Sequence, residues 1–149
     1  MKTLTNILAG ITLLISLSSF AKDSDEVSLK VQSSFNNSFA NATNVEWKQD
    51  NSVYFVSFKL GNQNVSAVYN SEGELKSSSR HLSLSQLPLK ILIELKDKYS
   101  TYTINDDVIE SFSNDETGYY IKVENDKNEI RLRSDATGNF TVEDKTKKK

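Results

Sequence analysis

The 149-residue sequence contains no cysteine, one proline, one histidine and only five glycines. Without cysteine the chain cannot form disulfides or a lipidated anchor, so a packed apolar core must stabilise it. One histidine and no cysteine supply too few ligands for a typical zinc site and no clear frame for a nucleophilic triad. No glycine-rich loop is present, which excludes the common phosphate-binding motifs.

The charge of the chain is nearly balanced, with 18 Lys and Arg against 20 Asp and Glu and a formal net charge of −2. A weakly acidic protein has no general affinity for nucleic acid or anionic membranes, so neither is expected as a partner. Basic residues cluster only at the C-terminus. Residues 144–149 are therefore predicted to form a basic disordered tail.

The N-terminal stretch is apolar and uncharged after its second residue. Lys2 precedes an apolar run from Ile7 to Leu17, and small residues follow at Ser19 and Ala21. The run is shorter than the roughly 20 residues that cross a bilayer, so this order predicts a cleavable signal peptide over residues 1–21. We expect a periplasmic or secreted protein with no membrane span after cleavage.

The strongest internal pattern is a duplication at a constant offset of 65 positions. The matched residues are apolar positions of alternating strands and turn glycines, which is where burial and positive φ angles constrain residue type. They align as Trp47 with Phe112, Tyr54 with Tyr119, Val56 with Ile121, Phe58 with Val123, Val65 with Ile130, Ala67 with Leu132, Asn70 with Asp135 and Gly73 with Gly138.

Each copy is predicted to begin with a helix. Apolar residues recur every four positions, at Val27, Val31, Phe35 and Phe39 in the first copy and at Ile91, Leu95 and Tyr99 in the second. Asp23 is the expected N-cap of the first helix and Ser85 that of the second, with Pro88 in its first turn. The helices align at an offset of 60, which places five extra residues before the first strand of the second copy.

Four short strands follow each helix, and polar turns separate them. Short connections favour antiparallel neighbours, so the predicted fold is α+β: a tandem α-β4 repeat forming one antiparallel sheet with both helices on one face. A single domain is expected over 22–143, with repeats at 22–79 and 82–143 joined at Ser77 to His81. The predicted strands are 44–50, 52–60, 64–70, 73–79, 107–113, 118–125, 128–134 and 138–143.

Alternation along the strands assigns side chains to two faces. The apolar set predicted beneath the helices is Tyr54, Val56, Phe58, Ala67, Tyr69, Tyr119, Ile121, Val123, Ile130 and Leu132. The other face mixes aromatic and charged residues, which is typical of either a solvated face or a recognition surface. The candidate partner-binding residues on that face are Phe55, Lys59, Tyr120, Lys122, Arg131 and Arg133.

Three strings carry a family resemblance: FANATNVEW at 39–47, YFVSF at 54–58 and AVYNSEGEL at 67–75, followed by Leu87-Pro88 and Tyr99. Together they resemble the PepSY-like family of β-lactamase-inhibitor-like proteins, small exported proteins of Bacteroidetes. The resemblance implies a tandem α-β4 architecture outside the cytoplasm, with a sheet face that grips a protein partner in the inhibitor relatives. It implies no catalytic residues.

The leading hypothesis is an exported, non-enzymatic, inhibitor-like binding module that recognises a protein or peptide of the cell envelope through the open sheet face. No cofactor or metal is expected, and the oligomeric state stays open. One alternative is a small periplasmic hydrolase or lyase that uses Glu46, Glu110 or Glu124. Another is an envelope chaperone that binds peptides by strand addition at an exposed edge.

Two further groups of polar residues are predicted to be structural. His81 lies in a serine-rich connector without a nucleophile motif, so a loop histidine is favoured over a catalytic base. The acidic turns near Asn105, Asn114 and Asn125 lack the twelve-residue calcium loop, so hairpin and Asx turns are favoured over calcium sites.

Overall fold

The two sequence copies fold as two helix-and-meander units in a computed structural model, which describes residues 27–149. The predicted signal peptide, 1–21, lies outside the described residues. No helix within 27–149 has the length and apolar character that a membrane span requires. The elements are α1 (Leu29–Ser38), β1 (Ala42–Asp50), β2 (Val53–Leu60), β3 (Gln63–Asn70), β4 (Leu75–Ser83), a 3-10 turn (Leu84–Gln86), α2 (Leu89–Lys98), β5 (Thr103–Ile104), β6 (Asp107–Ser113), β7 (Glu116–Glu124), β8 (Asn128–Asp135) and β9 (Phe140–Lys147).

The strands form one antiparallel sheet in the order β1-β2-β3-β4-β6-β7-β8-β9, and the short β5 also pairs with β7. The two units join where β4 pairs with β6, from Ser77 opposite Ser113 to Ser83 opposite Asp107. This architecture confirms the predicted α+β class with two helices and a single sheet. The second copy has five extra residues between its helix and its first long strand, because the helices align at an offset of 60 and the strands at 65. The short strand β5 lies in this longer connection.

The cross-strand register repeats at the predicted offset. Val56 lies opposite Ala67 in the first unit, and Ile121 lies opposite Leu132 in the second. The two helices span 29–38 and 89–98, which reproduces the offset of 60. The duplication therefore extends from sequence to strand pairing.

Two separate apolar clusters hold the helices on the sheet. In the first unit, Val31 and Phe35 of α1 pack on Val56 and Tyr69. In the second, α2 contributes two residues that are 0% exposed, and the strands contribute the rest of the cluster. All ten residues predicted beneath the helices are buried, so the face assignment is confirmed.

Trp47 packs on the helix side of the sheet. Its ring lies 5.2 Å from that of Phe35 and 6.3 Å from that of Tyr69, measured between centroids. Phe55 is opposite Lys48 in the next register position and so points away from the helices. Trp47 is thus partly buried on the helix side, against the first apolar cluster.

The predicted helix caps are wrong in both copies. Ser28, directly before α1, accepts a hydrogen bond from the Val31 N–H at 3.3 Å, whereas Asp23 lies outside the described residues and well before the helix. Before α2 the N-cap position is taken by Pro88. Ser85 is in the preceding 3-10 turn, where its hydroxyl bonds to that of Ser83 at 2.7 Å.

Two strands, β4 and β9, each continue four residues past their predicted ends at 79 and 143. β4 continues to Ser83, since His81 and its neighbours pair with β6. β9 continues to Lys147, which lies opposite Asn128. A disordered tail starting at residue 144 is therefore wrong for residues 144–147.

The turn between β8 and β9 is organised by one carboxylate. Asp135 Oδ1 accepts hydrogen bonds from the Thr137 N–H at 2.8 Å, the Thr137 hydroxyl at 2.7 Å and the Asn139 N–H at 3.1 Å. Its Oδ2 accepts from the Asn139 side-chain amide at 2.9 Å. These bonds, those of Thr137 first, hold the pKa of Asp135 far below its usual range.

We expect the Asp135→Asn variant to lose less of its free energy of unfolding than the wild type does as the pH falls into the acid range. The folded-state pKa of Asp135 is depressed, so its contribution is present above the unfolded value of about 3.9 and disappears as the pH falls through the folded pKa. Asparagine preserves the turn, because the equivalent Asn70 accepts from the Glu74 N–H at 2.9 Å. Urea unfolding between about pH 2 and pH 6 measures this; parallel curves for the two proteins would contradict it.

Candidate functional site: the open face of the sheet

Both helices pack on one face of the sheet, and we call the opposite one the open face. All six candidate binding residues lie on it, because each alternates along its strand with residues of the buried clusters. Whether they bind a partner stays a prediction. They are Phe55 and Lys59 on β2, Tyr120 and Lys122 on β7, and Arg131 and Arg133 on β8.

The structure brings four of these residues together and leaves two apart. Tyr120 lies directly opposite Arg133, and Lys122 lies directly opposite Arg131. Phe55, on β2, is separated from β7 by three strands, which corresponds to about 19 Å at the usual strand spacing of about 4.8 Å. The open face therefore has a basic and aromatic patch on one side and Phe55 on the other.

The basic side chains of this patch are held by exposed acidic neighbours. Lys122 Nζ lies 2.8 Å from Glu129, whose hydrogen bond raises the pKa of Lys122. Arg131 lies 3.9 Å from Asp144. Exposed ion pairs contribute little to stability, so these charges are available to re-pair with a ligand at little cost to the fold.

Arg133 is positioned by a glycine on the neighbouring strand. A Cβ atom at Gly118 would lie 3.2 Å from Arg133 Nε and 3.6 Å from its Cζ, so the guanidinium lies across the backbone of β7. One guanidinium nitrogen is 3.5 Å from Glu116, a long contact for a hydrogen bond. The Arg133 side chain therefore lies flat on the open face, and its ion pair with Glu116 is weak.

Two apolar pairs on this face extend the predicted site. Phe55 lies opposite Val68, and Ile109 lies opposite Tyr120, all four partly buried. The sequence predicts only the aromatic member of each pair as a binding residue. The signal for Val68 and Ile109 was present in the strand alternation, but their partners depend on a register that the sequence alone does not show.

His81 is a strand residue, and its predicted place in a loop is wrong. It lies in β4, on the open face, with Nδ1 2.7 Å from Asp107 Oδ1. The two side chains are 45% and 62% exposed. A catalytic acid–base pair works best where water is excluded, so this exposed pair is better described as a surface hydrogen bond.

The three glutamates considered for hydrolysis do not come together. Glu46 lies on β1 and Glu124 on β7, with four strands between them, or about 24 Å at the usual spacing. Glu110 lies on the helix side, where it accepts a hydrogen bond from Arg80. Glycosidase carboxylates are about 5–9.5 Å apart, so the geometry contradicts a hydrolase built on these residues.

The acidic turns serve the backbone. Asn105 Oδ1 accepts from the Asp107 N–H at 2.8 Å, and Asn125 Oδ1 accepts from the Lys127 N–H at 3.0 Å, which makes both Asx turns. Across residues 27–149, no group of three or more His, Asp or Glu side chains is arranged to hold a metal ion.

The two edges of the sheet are poorly suited to strand addition. The register of β1 shifts between Thr43 and Glu46, and Asn44 between them has a φ of 53°. The register of β9 shifts opposite Arg131 and Leu132, and its exposed residues are mostly charged or polar. Bulges and charges protect sheet edges from pairing, which disfavours the chaperone alternative.

The fold defines the chain as a small α+β protein with one covered and one open sheet face, and several solved structures resemble it. A BLIP-like protein from Bacteroides fragilis matches with a TM-score of 0.70 and 18% identity, over 83% of this chain and 88% of that one. A DUF2874 family protein from Bacteroides ovatus matches with a TM-score of 0.68 and 21% identity, over 83% and 89%. A predicted periplasmic protein from Bacteroides eggerthii matches with a TM-score of 0.67 and 13% identity, over 82% and 89%.

No protein-family model and no curated protein matches the sequence. The chain has the fold of these BLIP-like and DUF2874 structures, which is the architecture that the family resemblance implies. Its PepSY-like part stays a prediction.

Proposed function

We propose that the protein is an exported, non-enzymatic binding module that holds a protein or peptide of the cell envelope on its open face. The proposal depends mainly on one observation: this face carries two separate apolar anchors, Phe55–Val68 and Ile109–Tyr120, amid charged side chains. Interfaces gain most of their binding energy from such anchors, while a polar surround excludes water from them.

Three further observations support a binding role. The open face is free of the described helices, its ion pairs are exposed, and the carboxylates considered for catalysis are far apart. The fold is that of a BLIP-like protein, and one similar structure is a predicted periplasmic protein, in keeping with an inhibitor-like protein that acts outside the cytoplasm. Fold likeness alone does not fix function, so the site must be tested directly.

The test is affinity capture from an envelope extract of the source organism, with the mature chain, residues 22–149, as bait. We expect the double variant Phe55→Ala/Arg133→Ala to reduce capture of the specific partner at least about tenfold, since truncation of an interface anchor commonly costs more than 1 kcal/mol. Quantitative mass spectrometry of the captured proteins gives the readout.

The matched control is Phe112→Ala/Lys96→Ala, which truncates a partly exposed aromatic residue and an exposed cation on the helix side. This control is expected to capture the same partner as the wild type. A partner retained equally by the open-face variant and the control would contradict binding through the open face.

A further inference from the structure

A row of small side chains crosses the centre of the open face. Ser57 lies opposite Ser66, Ser66 opposite Ser79, Ser79 opposite Ser111, and Ser111 opposite Gly118. These five residues, here the serine trough, occupy neighbouring strands β2, β3, β4, β6 and β7. At about 4.8 Å per strand the row is about 19 Å long and runs perpendicular to the strands.

Larger side chains stand on both sides of the serine trough. Phe55 and Val68 occupy the adjacent register position on one side, and Ile109 and Tyr120 occupy it on the other. Because serine and glycine are much shorter than these neighbours, the row is a low strip, which Phe55 and Val68 flank over β2 and β3. Ile109 and Tyr120 flank it on the opposite side, over β6 and β7. A flat partner surface would leave this strip empty, whereas an extended chain would fill it.

The fold does not use the hydroxyls of the trough. Within residues 27–149, none of the four serines makes a side-chain hydrogen bond, and Ser111 is only 6% exposed. The backbone groups of these central strands are already paired in the sheet, so the serine hydroxyls are the groups free to bond an occupant.

The ends of the trough carry opposite charges. At the β7 end, the Arg133 guanidinium lies across Gly118 with only the long 3.5 Å contact to Glu116. Asp135 is opposite Gly118, but its carboxylate is occupied by its own turn. At the other end, Glu46 of β1 lies opposite Ser57, is exposed, and makes no ion pair with any other described residue.

We propose that the serine trough holds an extended segment of the partner that crosses the strands, with an acidic side chain at Arg133 and a basic one at Glu46. The serine hydroxyls bond to the backbone amides of this segment, and Phe55 and Tyr120 flank it. The distance from β1 to β7 is about 24 Å at the usual strand spacing. Six residues of extended chain span about 20 Å, and the charged side chains at its two ends cover the remaining distance. An even spacing keeps both charged side chains on the same side of the segment. This inference rests on the proposed function, since it identifies what occupies the same face.

Synthetic nine-residue peptides of Thr and Val with two charged positions test the proposal. One peptide has Lys at position 2 and Glu at position 8; the second has the same composition with the two charges only two positions apart. We expect the mature chain to bind the first at least about tenfold more tightly in fluorescence polarisation, because only that spacing reaches both ends. Equal binding of the two peptides, or no binding of the first, would overturn the proposal.

Two variants tie the binding to the trough. Ser79→Tyr fills the low strip and is expected to weaken binding of the first peptide at least about tenfold, whereas Ser33→Tyr, on the exposed side of α1, leaves it unchanged. Arg133→Glu is expected to prefer a peptide with Lys at both positions. Circular dichroism establishes that each variant is folded.

The trough and the proposed function fail in different ways. If envelope capture is lost in Phe55→Ala/Arg133→Ala but retained in Ser79→Tyr, the open face binds a partner and the trough inference is wrong. If capture survives both variants, the proposed function fails with it.

Discussion

Replacing Phe35 with alanine is expected to lower the free energy of unfolding by about 3–5 kcal/mol, the usual range for a large aromatic residue in a core. Phe35 is 3% exposed, and its ring lies 5.0 Å from Phe58 and 5.6 Å from Phe39, centroid to centroid. It is also the main aromatic contact between α1 and β1, through Trp47. Its removal leaves a cavity at the centre of the first cluster, where rigid rings limit collapse.

Phe112→Ala is the matched control for this prediction. It removes the same side chain, but from a residue that is 39% exposed on the helix side of β6. We expect a loss of no more than about 1 kcal/mol, since surface truncations leave no cavity. Urea unfolding followed by tryptophan fluorescence measures both variants through Trp47; similar losses for the two would show that Phe35 is not central to the core.

The second large effect is expected at Gly73, whose replacement by alanine should cost about 2–4 kcal/mol. Its φ is +74°, which disfavours any residue with a Cβ by about 1–2 kcal/mol. In addition, a Cβ there would lie 2.7 Å from Ser34 Oγ and 3.1 Å from the Lys30 carbonyl oxygen. The serine hydroxyl can rotate away, but the backbone carbonyl belongs to α1, so the turn and the helix must separate.

Gly61→Ala isolates the backbone contribution. Gly61 has a φ of +61°, and no atom lies within 4 Å of its ideal Cβ position. This variant should therefore lose only about 1–2 kcal/mol. Thermal and urea unfolding of both variants give the comparison; an equal loss at the two sites would mean that Gly73 is required for its turn alone and not for the approach of α1.

Much of the fold could be predicted because the duplication supplied two independent readings of one pattern. Val56 and Ile121 occupy the same position in each copy, and both are 1% exposed. Local alternation could not show that β4 pairs with β6, because that contact joins residues about 30 positions apart. For this reason the predicted fourth strand ends at residue 79, whereas β4 continues to Ser83 and includes His81.

The helix starts were missed for a different reason. Ser28 and Asp23 are equally good caps by residue type, and it is Ser28 that accepts the hydrogen bond from the Val31 N–H. Gln32 anchors that turn by donating to the Val27 carbonyl at 2.7 Å, which begins the helix after Ser28. Both contacts are local, but residue type alone does not show which of the two candidate caps the chain uses.

The candidate site was predicted in part. Alternation placed Arg133 and Tyr120 on the open face, but serines at 57, 66, 79 and 111 are unexceptional one by one. They form a row only after the register of five strands is known. The serine-rich stretch at 77–79 predicts a connector by residue type, because serine is common in loops.

The junction between β4 and β6 also explains why the sheet stops after two units. At the offset of 65 that relates the two copies, each edge strand corresponds to one of the two strands at the junction. The edge strand β9 corresponds to β4, and the edge strand β1 corresponds to β6. Placing two chains end to end in the register of the junction, where Ser79 lies opposite Ser111, would put Asp144 of one chain opposite Glu46 of the next. Like charges placed directly opposite are destabilising in a sheet. The free edges therefore lack the complementary pairing of the β4–β6 junction. The pairing that joins the two units within one chain does not join separate chains into a continuous sheet.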